Sequence, residues 1–207
     1  MADLRLADCT GVTDKALVAL GACAAGLVRL DLHGCGGVSA AEHLVSCTGL
    51  TSLDLGRCAP VPASSAAALL SACTALVEVE LPSGCPITPE ALLCTSREVY
   101  GHPAPPLPLK RLAADLAHNA NDLNAAVLAV CAPRMTHVAL CGGCLSDVTV
   151  AALAKSCSTL THLWLWTSGG ITDTSVFALA HHTTRLQALQ LVAPAAISDV
   201  GVVRLAE

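Results

Sequence analysis

Aromatic side chains are nearly missing: two Trp, one Tyr and one Phe make up 2% of the 207 residues. A core without aromatic rings must be assembled from Leu, Ala, Val and Cys, small side chains that suit closely stacked layers of backbone. Charge is also sparse, at 13% of residues with a net charge of −5, and Lys and Arg form no cluster. Nucleic-acid recognition relies on a basic stripe that releases counterions, so direct contact with nucleic acid is not expected. No apolar run approaches the roughly 20 residues that a membrane-spanning helix needs; residues such as Ala125 to Ala132 make a far shorter one. Asp3 and Arg5 interrupt the N-terminal stretch where the apolar centre of a signal peptide would lie. These absences predict a soluble chain with no membrane insertion.

What is abundant is apolar surface, 54% of residues, and cysteine, twelve in all. Disulfide scaffolds are short and poor in other apolar residues. Here the cysteines recur at set places in a longer, Leu-rich pattern, which predicts buried thiols in a reducing compartment. The cytoplasm comes first, with the cilium or axoneme and the mitochondrial matrix as alternatives.

That pattern is an internal repeat. Leu27, Leu30, Leu32, Cys35 and Val38 trace the skeleton L-x-x-L-x-L-x-x-C-x-x-V, which returns at Leu50, Leu53, Leu55, Cys58 and Val61. It recurs around Met1, Leu4, Leu6 and Cys9, around Leu76, Val79, Leu81 and Cys85, and more loosely from Leu109, Met135, Leu160 and Leu186. Repeats therefore begin near residues 1, 27, 50, 76, 109, 135, 160 and 186, with a Pro-rich insertion loop at 94–108. After the skeleton comes a polar pair such as Thr13-Asp14, Asn121-Asp122, Ser146-Asp147, Thr172-Asp173 or Ser198-Asp199. Both members are expected to accept bonds from the first free amides of a helix. Apolar residues at helical spacing follow, and Cys23, Cys47, Cys73, Cys131 and Cys157 close the helices, with His182 expected in the same slot of a later repeat. Each unit reads as strand, turn and helix, unable to bury its apolar face until its neighbours stack on it.

The skeleton resembles the cysteine-containing class of leucine-rich repeat found in F-box/leucine-rich-repeat proteins and their relatives without an F-box. The resemblance implies a single domain over 1–207: an α/β, right-handed solenoid of about eight repeats, with a parallel sheet on the concave face and helices on the convex face. The repeat pattern already runs from Met1, so ligase recruitment is not an expectation that the resemblance carries over. The repeats also lack polar caps, so further chain or partners are expected to cover the ends.

Chemistry-bearing motifs are few. The turn cysteines Cys9, Cys35 and Cys58 are one repeat apart, which predicts a ladder of thiols donating weakly to carbonyls of the adjacent turn. Cys141-Gly-Gly-Cys144 is a lone CxxC, whereas zinc sites generally need a second pair or matched His. His181-His182 falls at a helix end, where imidazoles meet terminal carbonyls. No nucleophile triad, phosphate loop or metalloprotease motif is present. Accordingly no catalytic residue, metal ligand or cofactor is expected.

Alternation along the strands points the residues between the leucines to the opposite face. Repeat by repeat these are Arg5; Arg29, Asp31 and His33; Asp54; Glu78 and Glu80; Arg111 and Asp115; His137; His162, Trp164 and Trp166; and Gln190. The early rungs lean acidic, and the later ones hold both tryptophans. Exposed Trp is enriched at the centres of protein interfaces, although one ring could tuck against His137 or His162. Arg97, Tyr100 and His102 of the insertion form a second candidate contact. The expected role is a non-catalytic protein–protein interaction scaffold or adaptor within a multi-subunit assembly. The family resemblance offers substrate recognition in an SCF-type ubiquitin ligase as one alternative, and the CxxC offers a redox-sensitive protein as another.

Overall fold

The computed structural model describes residues 2–23, 26–85, 107–115, 129, 132–141, 145–166, 170–192 and 196–206. The insertion with Arg97, Tyr100 and His102, the Asn121-Asp122 pair, Cys94, Cys131 and Cys144, and the side chains of Cys23 and Asp115 lie outside the described residues.

Eight strands form one parallel sheet in chain order: β1 (Asp3–Arg5), β2 (Arg29–Asp31), β3 (Ser52–Asp54), β4 (Glu78–Glu80), β5 (Arg111–Asp115), β6 (His137–Cys141), β7 (His162–Trp166) and β8 (Ala188–Val192). Between them run α1 (Asp14–Cys23), a 3₁₀ turn (Ala41–Leu44), α2 (Ala63–Ala72), α3 (Asp147–Ser156) and α4 (Asp173–His182), and α5 (Asp199–Ala206) follows β8. This is an α/β architecture in which each strand pairs in parallel with its chain neighbours, and the intervening segments supply the crossovers that parallel pairing needs. No helix among the described residues is long and apolar enough to cross a membrane.

Register follows the leucines. Leu4, Leu30, Leu53, Val79, Leu112, Val138, Leu163 and Leu189 align across the sheet. From Leu30 to Leu163 that row is buried, as are Leu32, Leu55, Leu81, Leu140 and Leu165 two residues on. Helical residues such as Leu17, Leu69, Leu153 and Leu179 close over them. At the two outer strands the matching residues, Leu4, Leu6, Leu189 and Leu191, are half-buried because only one neighbouring rung covers them.

The chain leaves the early strands through a left-handed turn, at Asp8 (φ 57°), Gly34 (φ 72°) and Arg57 (φ 58°). Glycine meets no steric cost there, and a side chain does. The cysteines beyond these turns bond as their spacing predicts. The Cys35 thiol donates to the Leu6 carbonyl at 3.1 Å and the Cys58 thiol to Leu32 at 3.0 Å. At the helix ends the Cys73 thiol reaches the Cys47 carbonyl at 3.4 Å, and Cys157 reaches Ala132 at 3.7 Å. Burial pushes the Cys73 and Cys157 thiols up to about 11.

Two expectations about the connecting segments need correction. In the second unit the connection is one 3₁₀ turn rather than an α-helix. The step from Leu27 to Leu50 is 23 residues, against 26 on either side, and three missing residues remove nearly one α-turn. His182 does not take the cysteine slot. Thr183 does: it is buried, its hydroxyl donates to the Leu179 carbonyl, and its carbonyl receives the Leu186 amide as Cys157 receives Leu160. His182 instead lies edge-to-face against His181.

The polar pairs at the helix starts divide their labour. Ser146, Thr172 and Ser198 cap in the ordinary way, accepting from Val148, Thr174 and Val200. The aspartates do not cap; they reach forward one repeat. Asp14 accepts from the amides of Ser39 and Ala40 and from the Ser39 hydroxyl. Asp173 accepts from the Ser198 amide and hydroxyl. Asp147 accepts from the amide and hydroxyl of both Thr172 and Ser175. These carboxylates staple each turn to the next.

Candidate functional site

Because strand side chains alternate, burying one row of leucines leaves its neighbours on the sheet's open face. Register gathers them into two rows. The first is Asp3, Arg29, Ser52, Glu78, Arg111, His137, His162 and Ala188; the second is Arg5, Asp31, Asp54, Glu80, Ala113, Ala139, Trp164 and Gln190. Residues 23 to 33 apart in sequence thus become neighbours about 4.8 Å apart. His33 and Trp166 extend the face beyond these rows, and Asp115 pairs in register with Cys141.

The face is chemically graded. On β1, Arg5 pairs with Asp3 at 3.1 Å. On the next rungs Asp31, Asp54 and Glu80 stand side by side, with Glu78 in the adjoining row. Arg111 approaches Glu78 at 3.7 Å, and the Ser52 hydroxyl donates to Glu78 at 3.4 Å. The Glu80 carboxyl is raised, chiefly by burial and then by the charge of Asp54, with His33 opposing.

The other end is aromatic. His137 and His162 stack with ring centroids 4.2 Å apart and planes 9° from parallel. Trp164 meets His162 edge-on at 6.0 Å, so this Trp tucks against a neighbour, whereas Trp166 is exposed. Two threonines orient the imidazoles. Thr136 commits its hydroxyl proton to the Lys110 carbonyl and Thr161 commits its own to the Thr136 carbonyl. Each hydroxyl oxygen then receives a histidine Nδ1 at 2.9 Å. A hydroxyl has one proton, so each ring donates from Nδ1 to its threonine, and a neutral His137 keeps Nε2 as an acceptor. Burial, then Arg111 and His162, lower the His137 value below that of an ordinary imidazole, favouring this neutral form.

Between the two ends the side chains shrink to Ala113 and Ala139. They floor a groove of about 480 Å³, walled by Asp54 and Glu80 on one side and Trp164 on the other, with Arg111, His137 and His162 along its rim. The groove thus joins Asp54, Glu78, Glu80, Arg111, His137, His162 and Trp164 from the expected set. Arg5 and Gln190 stand on the outer strands β1 and β8 and Arg29 on β2, away from it, and Trp166 lines its neighbouring depression. Thr136 and Thr161 were not singled out by the sequence, although each immediately precedes a face histidine.

No family model and no curated protein matches this chain. Among solved structures, an internalin from Listeria monocytogenes aligns over 91% of this chain and 47% of its own, at 17% identity and a TM-score of 0.60. The yeast Rad7–Elc1 complex aligns over 96% of this chain and 53% of the matched chain, at 14% identity and a TM-score of 0.65. The chain therefore spans about half the length of these structures, and likeness at such identities carries fold alone: the chain has a leucine-rich-repeat fold.

Proposed function

We propose that this chain is a non-catalytic protein-interaction scaffold, an adaptor subunit of a larger intracellular assembly, which seats its partner on the open face of the sheet. In this reading the domain is a right-handed solenoid of about eight repeats with an insertion at 94–108, and the open face is its concave surface. The groove over Ala113 and Ala139 carries the proposal, because it sets carboxylates opposite an indole in one continuous depression. A partner segment presenting a basic residue to Glu78 and Glu80, and an apolar one to Trp164, matches both ends. Arg111, His137 and His162 offer polar contacts along the rim, where hydrogen bonds add register more than affinity. The ligase reading rests on the family resemblance alone. The redox reading rests on Cys141 and Cys144, of which only Cys141 is among the described residues.

Paired affinity purifications of the wild type and a Trp164→Ala/Trp166→Ala variant, followed by mass spectrometry, provide the test. A protein retained by the wild type should be lost with the variant and also with Glu78→Gln/Glu80→Gln, while both variants keep the wild-type circular dichroism spectrum. Removing a buried interface anchor costs about 2 kcal/mol or more. An identical set of proteins on folded wild type and variants overturns the proposal.

A further inference from the structure

At the β2–β4 end of the open face, side chains from three successive rungs converge. His33 Nδ1 lies 3.3 Å from Asp54 Oδ1 and 3.8 Å from Glu80 Oε1, and the three ligand atoms lie within 4.8 Å of one another. We propose that His33, Asp54 and Glu80 form a binding site for one first-row divalent transition-metal ion. The site shares Asp54 and Glu80 with the groove above, but its argument and its metal titration do not rest on the docking reading.

Three observations support it together. The first is donor chemistry: one imidazole nitrogen with two carboxylate oxygens is a mixed set that suits such ions, whereas magnesium and calcium favour oxygen alone. The second is spacing. Two ligands about 2.0–2.1 Å from a tetrahedral ion are about 3.3 Å apart, which His33 and Asp54 already match and Glu80 reaches by a small rotation. The third is space, which Gly56 provides. It is buried beneath the cluster, and a Cβ there would fall 2.7 Å from His33 Nδ1 and overlap Glu80 Oε1.

The ligands are also braced. Asp54 Oδ1 accepts the Gly56 amide at 2.8 Å, and Asp31 accepts the His33 amide at 3.0 Å, holding the turn that carries the imidazole. Such outer bonds are what orient metal ligands in known sites. Arg5 and Arg111 are engaged by Asp3 and Glu78, away from these carboxylates. A bound ion would keep open positions for water or for a partner's side chain. The spacing in sequence conceals the set, since each rung contributes one residue.

Manganese(II) is the probe, because thiols compete for it weakly. The whole chain is titrated while the electron paramagnetic resonance signal of free Mn(II) is followed. One ion should bind per chain, be displaced by Zn(II), and resist an equal concentration of Mg(II). His33→Ala and Glu80→Gln should each weaken binding at least about tenfold. Gly56→Ala should do the same while keeping every ligand. Circular dichroism confirms folding, and the partly exposed His33 and Glu80 make their variants the more tolerant pair. Absence of a stoichiometric site, binding indifferent to His33→Ala and Glu80→Gln in folded protein, or equal displacement by Mg(II) as from a diffuse acidic patch, each overturns the proposal.

Discussion

Replacing Asp147 with Ala removes the staple between α3 and the turn that begins α4. The carboxylate accepts the Thr172 amide at 2.9 Å, the Thr172 hydroxyl at 2.7 Å, the Ser175 amide at 3.2 Å and the Ser175 hydroxyl. Ser175 is fully buried, so its hydroxyl would lose its acceptor without gaining water. Hydrogen bonds to a charged group are worth about 1.5–3 kcal/mol each. Four on one partly exposed carboxylate share a single charge and are screened, so the loss is set at about 2–3 kcal/mol. Asp199, at the matching place on α5, is exposed and has no following turn among the described residues. Its removal costs only the helix-terminus contribution, about 0.5 kcal/mol. Urea denaturation at neutral pH reads both variants as midpoint shifts, and Asp147→Ala and Asp199→Ala agreeing within about 0.5 kcal/mol would refute the staple. Acid provides a second test. Burial alone would raise the Asp147 carboxyl, but the bonds from Ser175 and Thr172 outweigh it and hold it below the ordinary value. Asp14 is lowered in the same way by Ser39 and Ala40. A lowered carboxyl contributes fully above its unfolded value, about 3.9, and loses that contribution as pH falls through the folded value. The gap between wild type and Asp147→Ala should therefore close below about pH 4.

Two further expectations concern the core and the thiols. Leu53→Ala empties a buried position between two rungs and should cost about 2–5 kcal/mol by thermal or urea unfolding; under about 1 kcal/mol would show that the rungs do not share a continuous interior. Pulse labelling with a disulfide reagent at pH 8, mapped by peptide mass, should modify exposed Cys9 well before Cys73 and Cys157, whose thiols burial pushes up to about 11; equal labelling would contradict that placement.

Much of the fold was legible because its signal is repeated. A strand rung such as Leu27, Leu30 and Leu32 is weak evidence alone, but its return with the same offsets is hard to reconcile with anything except stacked parallel strands. The thiol-to-carbonyl bonds of Cys35 and Cys58 could be anticipated for the same reason. The polar pairs were half legible. Ser146 and Thr172 cap their own helices through local geometry, whereas the partners of Asp147 lie 25 and 28 residues ahead. The cysteine slot falls at Thr183, one position beyond His182, because the helix end turns that residue inward.

Sequence by itself determined the things that depend on local period: which residues form strands, which row is apolar, and which side chains stand on the opposite face. It could not say which of those exposed residues meet. The stacking of His137 on His162, the groove over Ala113 and Ala139, and the convergence of His33, Asp54 and Glu80 above Gly56 all join different rungs. Rotamers and turn geometry decide those encounters, and a sequence pattern specifies the spacing of rungs without specifying how far each side chain leans toward the next.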